Sequence, residues 1–207
     1  MYKQQKRIQL SKIVFVFLVV LGCQQEKKLP FLGPKEIGKQ GDTLYHKIPD
    51  FKFLNQDSLW ISDKDMAGKI YVADFFFTTC PTICPKMKTQ LLRIYDKFAE
   101  DDRIRILSHT IDPEFDGVRV LKDYAKKLNI TSPRWNLLTG KKSDIYRLGE
   151  KSYMVTAQED ANEVGGFVHS GAFILVDQNR HVRGIYDGTK EEDVNHLIED
   201  IGVLLKE

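Results

Sequence analysis

An eight-residue apolar run, Ile70-Tyr71-Val72-Ala73-Asp74-Phe75-Phe76-Phe77, passes straight into Thr78-Thr79-Cys80-Pro81-Thr82-Ile83-Cys84-Pro85-Lys86-Met87. A run broken only by Asp74 suits a strand covered on both faces, and such strands belong to layered α/β folds. Beyond the second cysteine, Met87, Leu91, Leu92, Ile94, Tyr95 and Phe98 recur at helical spacing. Pro81 suits the first helical position, where a missing N–H costs little, and Pro85 also suits the first turn, so the helix proper could start only there. The stretch predicts a buried strand running into a helix, with both thiols near the helix N-terminus. Asp74 reads as a strand-end carboxylate or one bonded to a neighbouring backbone group. A supporting role behind the thiols is the other reading.

The remaining pattern is consistent with that centre. Phe51 and Phe53 alternate with polar neighbours, Asn55-Gln56-Asp57 turns the chain, and Leu59-Trp60-Ile61 returns, a β-hairpin at the domain edge. Residues 62–69 form a polar connector. Residues 104–111 read as a strand ending at Asp112-Pro113, and Val118, Leu121, Tyr124, Ala125 and Leu128 mark an amphipathic helix. Short strands are expected at 135–138 and 153–156, a short helix at 143–148, and a polar loop at 158–166. Residues 172–176 and 181–186 form a hairpin about Gln178-Asn179-Arg180. Thr189 and Glu192 match a capping box opening a last helix with Val194, Leu197, Ile198, Ile201 and Leu204 on its apolar stripe. The order predicts an α/β, thioredoxin-like fold: a central mixed sheet, helices on both faces and an N-terminal β-hairpin.

The N-terminus is of another kind. Lys3, Lys6, Arg7 and Lys12 precede nine unbroken apolar residues, 13–21. Nine residues are too short to cross a hydrocarbon core of ~30 Å, but they fit the apolar region of a signal peptide. Val20-Leu21-Gly22-Cys23 resembles a bacterial lipoprotein box, which implies cleavage before Cys23 and lipid on its thiol. An uncleaved anchor with an incidental cysteine is the alternative. The expected organisation is a signal peptide at 1–22, a Lys-, Gly- and Pro-containing tether at 23–42, and one domain at 43–207. Stable attachment takes two acyl chains or more. The domain would then face the extracytoplasmic space, the periplasm in the bacterial envelope. Of three cysteines, only Cys80 and Cys84 remain to pair. A net charge of +2 without a basic, aromatic-interleaved block argues against nucleic acid as a partner.

Near a helix N-terminus, unsatisfied N–H groups and the dipole favour thiolate, the form that attacks disulfides and binds metals. The pair can therefore exchange electrons, hold a metal, or do both. Thioredoxin-type enzymes use a C-x-x-C pair and a proline in the loop facing it. Here the spacing is one residue longer and Pro133 is the last proline. The corresponding loop reads Gly165-Gly166-Phe167-Val168-His169-Ser170-Gly171, directly before the strand at 172–176. Two thiolates and one imidazole form an S₂N set. Thiolates select Cu(I) and imidazole also suits copper and zinc, while structural zinc asks for a fourth ligand.

Three separated motifs now coincide. The segment Phe76-Phe77-Thr78-Thr79-Cys80-Pro81-Thr82-Ile83-Cys84-Pro85 resembles the signature of the Sco/SenC family. So do Ile111-Asp112-Pro113-Glu114-Phe115-Asp116, and His169-Ser170 followed by Phe173-Ile174-Leu175-Val176-Asp177 and Arg183-Gly184-Ile185-Tyr186-Asp187-Gly188. The resemblance runs from about Asp50 to the C-terminus. It implies a thioredoxin-like fold, membrane attachment, one copper ion per chain held by Cys80, Cys84 and His169, and maturation of the Cu-A centre of cytochrome c oxidase. The partner implied is the oxidase subunit carrying Cu-A, or another copper or thiol protein. A lipid on Cys23 would replace the transmembrane helix common in relatives. The alternative is that Cys80 and Cys84 serve as the redox pair of a dedicated thiol–disulfide oxidoreductase, or of a redox or copper sensor.

Other side chains carry plainer expectations. His109 is expected to be packed or hydrogen-bonded, and Met87 to belong to the core. His46, His181 and His196 are expected at the surface. Asp112 has two readings, a turn former before Pro113 and an outer partner that orients a metal ligand.

Overall fold

The computed structural model describes residues 27–159 and 167–207, with side chains described outside 157–169. The expected leader, Cys23, residues 160–166 of the polar loop and the side chain of His169 lie outside the described residues. No helix among the described residues is long and apolar enough to cross a membrane.

Strands β1 (Lys35–Ile37) and β2 (Thr43–Tyr45) form a short antiparallel ribbon. Strands β3 (Lys52–Asn55) and β4 (Trp60–Ser62) form the expected hairpin. The connector after it holds a 3₁₀ turn, Asp63–Met66, that buries Met66. Then follow β5 (Ile70–Phe76), α1 (Cys84–Lys97), β6 (Ile104–Thr110), α2 (Val118–Leu128), β7 (Trp135–Thr139) and α3 (Lys142–Leu148). One wide helical turn, Gly149–Tyr153, extends α3. The chain closes with β8 (Ala157–Glu159), β9 (Phe167–His169), β10 (Ala172–Val176), β11 (Val182–Asp187) and α4 (Glu191–Leu204).

Seven strands make one mixed sheet in the order β11-β10-β5-β6-β7-β3-β4. Strands β5, β6 and β7 are parallel and central, whereas β10 runs antiparallel to β5 and β3 antiparallel to β7. All seven residues of β5 are buried, as their near-continuous apolarity requires. Their alternation sorts two layers. Tyr71 and Phe75 meet Tyr153 on one face. Asp74 and Phe76 line a cavity with residues of α1 and α2 on the other. This is the expected thioredoxin-like α/β arrangement, with helices on both faces and a hairpin from the N-terminal part at the edge.

Helix α1 begins at Cys84 with Pro85 in its first turn, the later of the two starts the prolines allow, so Pro81 and Cys80 precede the helix. Three local expectations are corrected. Residues 153–156 are not a strand. Tyr153 is fully buried at the end of the wide turn, its hydroxyl bonded to that of Tyr71 at 3.3 Å, and Met154 takes a left-handed conformation (φ 59°). The capping box at Thr189 does not form. The Asp187 carboxylate takes the Thr189 hydroxyl at 2.6 Å and its N–H at 2.9 Å, so Lys190 becomes the N-cap. Asp193 reaches back instead, accepting the Asp187 N–H at 3.0 Å.

The third concerns the stretch expected to be a tether. Residues 29–33 lie against the domain, whereas 34–45, which include β1 and β2, are largely exposed. Leu29 is buried, and the Leu32 N–H donates to the Val182 carbonyl at 2.9 Å. Arg183 donates to the carbonyls of Leu29 (2.6 Å) and Pro30 (3.2 Å). His46 and His181, expected at the surface, are half-buried and bond backbone carbonyls of Ser152 and His46. His196 is exposed.

Candidate metal and dithiol site

Strand β5 delivers the chain to the site and a turn carries it out. The Cys80 N–H donates to the Phe77 carbonyl at 3.2 Å, closing a turn over Thr78 and Thr79. Residues 80–83 then lead into α1. Both cysteines are buried thiols. They are not equivalent, because Cys84 is the first residue of the helix and Cys80 lies outside it.

Burial works against ionising Cys80. Hydrogen bonds from the side chain and backbone of Cys84, and from Thr82, outweigh it and hold the Cys80 thiol below its ordinary value. The Thr82 hydroxyl lies 3.7 Å from the Cys80 sulfur. These groups are the donors expected where a helix starts. Cys84 is pushed far upward, first by burial and then by its hydrogen bond to Cys80. The pair thus has one thiol predisposed to thiolate and one that keeps its proton.

Behind Cys84 lies a small cavity of about 20 Å³. Its lining includes Asp74, Cys84, Met87, Ser108 and Tyr124. Asp74 is not at a solvent end, and among the described residues its carboxylate has no backbone partner. It is 2% exposed and accepts a hydrogen bond from the Ser108 hydroxyl. The Trp135 indole N–H donates in turn to Ser108 at 2.9 Å. Burial raises the Asp74 carboxyl to about 7, with the Ser108 bond opposing. Met87 is buried, as expected of a core residue, although it also lines this cavity.

The loop after β9 comes to the same place. A Cβ placed on Gly171 would stand 3.7 Å from the Ile83 side chain, between the two cysteines in sequence. Gly171 follows His169 by two residues. Strand β9 pairs with β8, with Ala157 opposite His169, and the Ser170 N–H donates to the Thr156 carbonyl at 3.1 Å. Among the described residues, no three His, Cys, Asp or Glu side chains gather at one point. The His169 side chain is outside that set.

His109 is packed, as expected. It is fully buried among Phe51, Phe53, Phe75 and Tyr153, and neither ring nitrogen has a hydrogen-bond partner among the described residues. Asp112 shapes the turn before α2, its carboxylate accepting the Phe115 N–H at 3.4 Å.

Asp116 received no role from the sequence. It is fully buried, and its carboxylate accepts the Thr78 N–H at 3.0 Å, the Thr110 hydroxyl at 2.6 Å, and the Thr78 hydroxyl. An Asp just ahead of a helix reads as a local cap. Its main partner, 38 residues away, has no local signature.

Comparison with known proteins places this geometry in a family. The SCO1/SenC family model matches residues 39–206. The SCO1 protein homolog of Bacillus subtilis (strain 168) is 30% identical over 191 residues, spanning 91% of each chain. A SCO1/SenC family lipoprotein from Bacillus anthracis str. Ames superposes with a TM-score of 0.71 at 31% identity, covering 77% of this chain and 95% of that one. BsSco, a member of the Sco family of cytochrome c oxidase assembly proteins described with a disulfide switch, gives 0.68 at 30% identity over 77% and 93%. Arabidopsis thaliana ScoI with copper bound gives 0.63 at 25% identity over 76% and 97%. The chain belongs to the SCO1/SenC family.

Proposed function

We propose that this chain is a copper-binding protein of the cell envelope. In this reading Cys80, Cys84 and His169 hold one copper ion as cargo. They pass it by ligand exchange to an acceptor, the Cu-A site of cytochrome c oxidase. Lipid on Cys23 attaches the chain to a membrane, with the domain in the extracytoplasmic space.

The observation that carries the reading is the approach of Gly171 to Ile83. Two residues of chain reach at most ~7 Å, which supports a place for His169 near the thiol turn. The donor set fits soft copper, because thiolates prefer Cu(I) and imidazole tolerates it. The copper-bound structure of the Arabidopsis relative supports the choice of metal, and the assembly-protein description of BsSco supports the choice of acceptor. Three ligands leave room for an incoming one. Cys80, outside the helix, is the thiolate placed to exchange first, while Cys84 holds from inside.

Metal analysis with thiol titration, on the full chain purified under reducing conditions, tests this. The expected result is one copper per chain with both thiols protected, and loss of copper in Cys80→Ala, Cys84→Ala and His169→Ala. Full copper retention by H169A would remove the histidine from the set.

The inequality of the two thiols favours a second use. A thiol with a lowered pKa beside one that stays protonated suits stepwise exchange with a partner disulfide. Cys80 would attack, and Cys84 would release the mixed disulfide.

A further inference from the structure

We infer that Asp116 is a positioning residue that holds the Cys80 turn in its dithiol geometry, and so sets the balance between the two uses of the site. The inference deepens the proposed function and rests on it only for the consequence, since the clamp itself is geometric.

Thr78 lies inside the turn that ends at Cys80, two residues before the thiol. Asp116 grips it twice, through the backbone N–H and through the hydroxyl. The same carboxylate accepts the Thr110 hydroxyl at the end of β6. Thr110 in turn accepts the Asp112 N–H at 3.1 Å, and the Asp116 N–H donates to the Asp112 carbonyl at 2.8 Å. The cysteine turn is thereby tied to the loop leading into α2. Among the described residues Asp116 has no cationic partner in an ion pair, and three neutral donors satisfy it. A buried carboxylate is costly to desolvate. Its bonds to neutral donors are charge-assisted and directional, so what it returns is geometry.

That geometry bears on the thiols. Metal ligation uses two separate sulfurs, whereas a disulfide draws them to ~2.05 Å and constrains both Cα positions. Here the two thiols are unbridged and hydrogen-bonded to each other, and Cys80 also meets the Cys84 N–H and Thr82, so a turn fixed in this arrangement favours the dithiol. Oxidation would transfer two electrons and two protons to an external disulfide while the Cys80–Cys84 bond forms.

The test is the dithiol–disulfide equilibrium of the metal-free full chain in mixtures of reduced and oxidised dithiothreitol. Removing the clamp in Asp116→Ala is expected to move the dithiol-to-disulfide ratio about tenfold toward disulfide. Thr78→Val, which loses only the hydroxyl bond, is expected to move it roughly threefold in the same direction. Asp116→Asn can accept from the Thr78 N–H and donate to its hydroxyl, and should stay within about twofold of the parent. A residue that merely stabilised the fold would lower the melting temperature of both redox forms alike and leave the ratio unchanged. That outcome in D116A overturns the inference, and if D116A does not fold, an unmoved ratio in T78V does so. Copper plays no part in the measurement, so absence of copper binding by the parent would sink the proposed function without touching this result.

Discussion

The carboxyl of Asp74 and the thiol of Cys84 line the same small cavity, on the face of the sheet covered by α1 and α2. Because burial lifts Asp74 to about 7, the native protein keeps a proton that the unfolded chain loses near pH 4. Asp74 therefore subtracts stability as pH rises through that window, and the loss is complete above about pH 7. Asp74→Asn removes the difference. Its advantage over the parent, followed by urea unfolding across the pH range, should grow from near zero at about pH 4 to at most ~4 kcal/mol above pH 7. A gap that does not vary with pH would contradict the assignment.

His109 acts with the opposite sign. Burial depresses its imidazole to about 3, so between there and the ordinary value near 6.5 the unfolded chain binds a proton that the native protein refuses. Its contribution is fully present above 6.5 and is lost as pH falls toward 3. Replacing His109 by Phe should flatten this acid-side loss. It should also add about 1–3 kcal/mol at neutral pH, because both ring nitrogens are buried without a partner among the described residues. Thermal unfolding of the parent and H109F at pH 5 and pH 7.5 checks both effects. Equal destabilisation at the two values would mean that the ring is needed for its shape alone.

The two thiols should differ in reactivity. At neutral pH Cys80 is expected to alkylate at least about tenfold faster than Cys84, as thiolate fraction dictates. Cys84→Ala should slow Cys80, since one of the bonds lowering its pKa comes from the Cys84 side chain. Time-resolved alkylation read by peptide mass spectrometry separates the sites. Equal rates in the parent would remove the basis for a leading and a following ligand.

Much of the frame was legible because burial writes a period. The unbroken apolarity over 70–77 marked β5, and the helical spacing from Val118 to Leu128 marked α2. Where the expectations failed, a side chain had a partner other than the one its helix or strand pattern supplies. The hydroxyl of Thr189 went to Asp187 and not to its own helix. Tyr153 left its expected strand for the hydroxyl of Tyr71, 82 residues away in sequence. The site divides in the same way. Adjacency to β5 and the helix start pointed to Cys80 and Cys84, whereas Asp116 grips Thr78 across 38 residues and left no periodic trace.

Arg183 shows how far such a partnership can reach. It is buried in β11 and pairs with Asp177 at 3.0 Å and Glu207 at 2.9 Å. It also donates to the carbonyls of Leu29 and Pro30 and lies over the Phe31 ring at 4.4 Å. One guanidinium thus joins the segment before β1, the sheet edge and the C-terminal residue. Its five donors in a planar fork make that possible, and a lysine could not match them. Arg183→Ala strands the buried Asp177 carboxylate and should cost about 3–5 kcal/mol. Loss of the two carbonyl bonds should also release residues 29–32, so limited proteolysis is expected to cut there well before the domain unfolds. Arg183→Lys should recover part of the stability but little of the protection. If R183A is cleaved no faster at 29–32 than the parent, the segment is held by Leu29 burial and the Leu32–Val182 hydrogen bond instead.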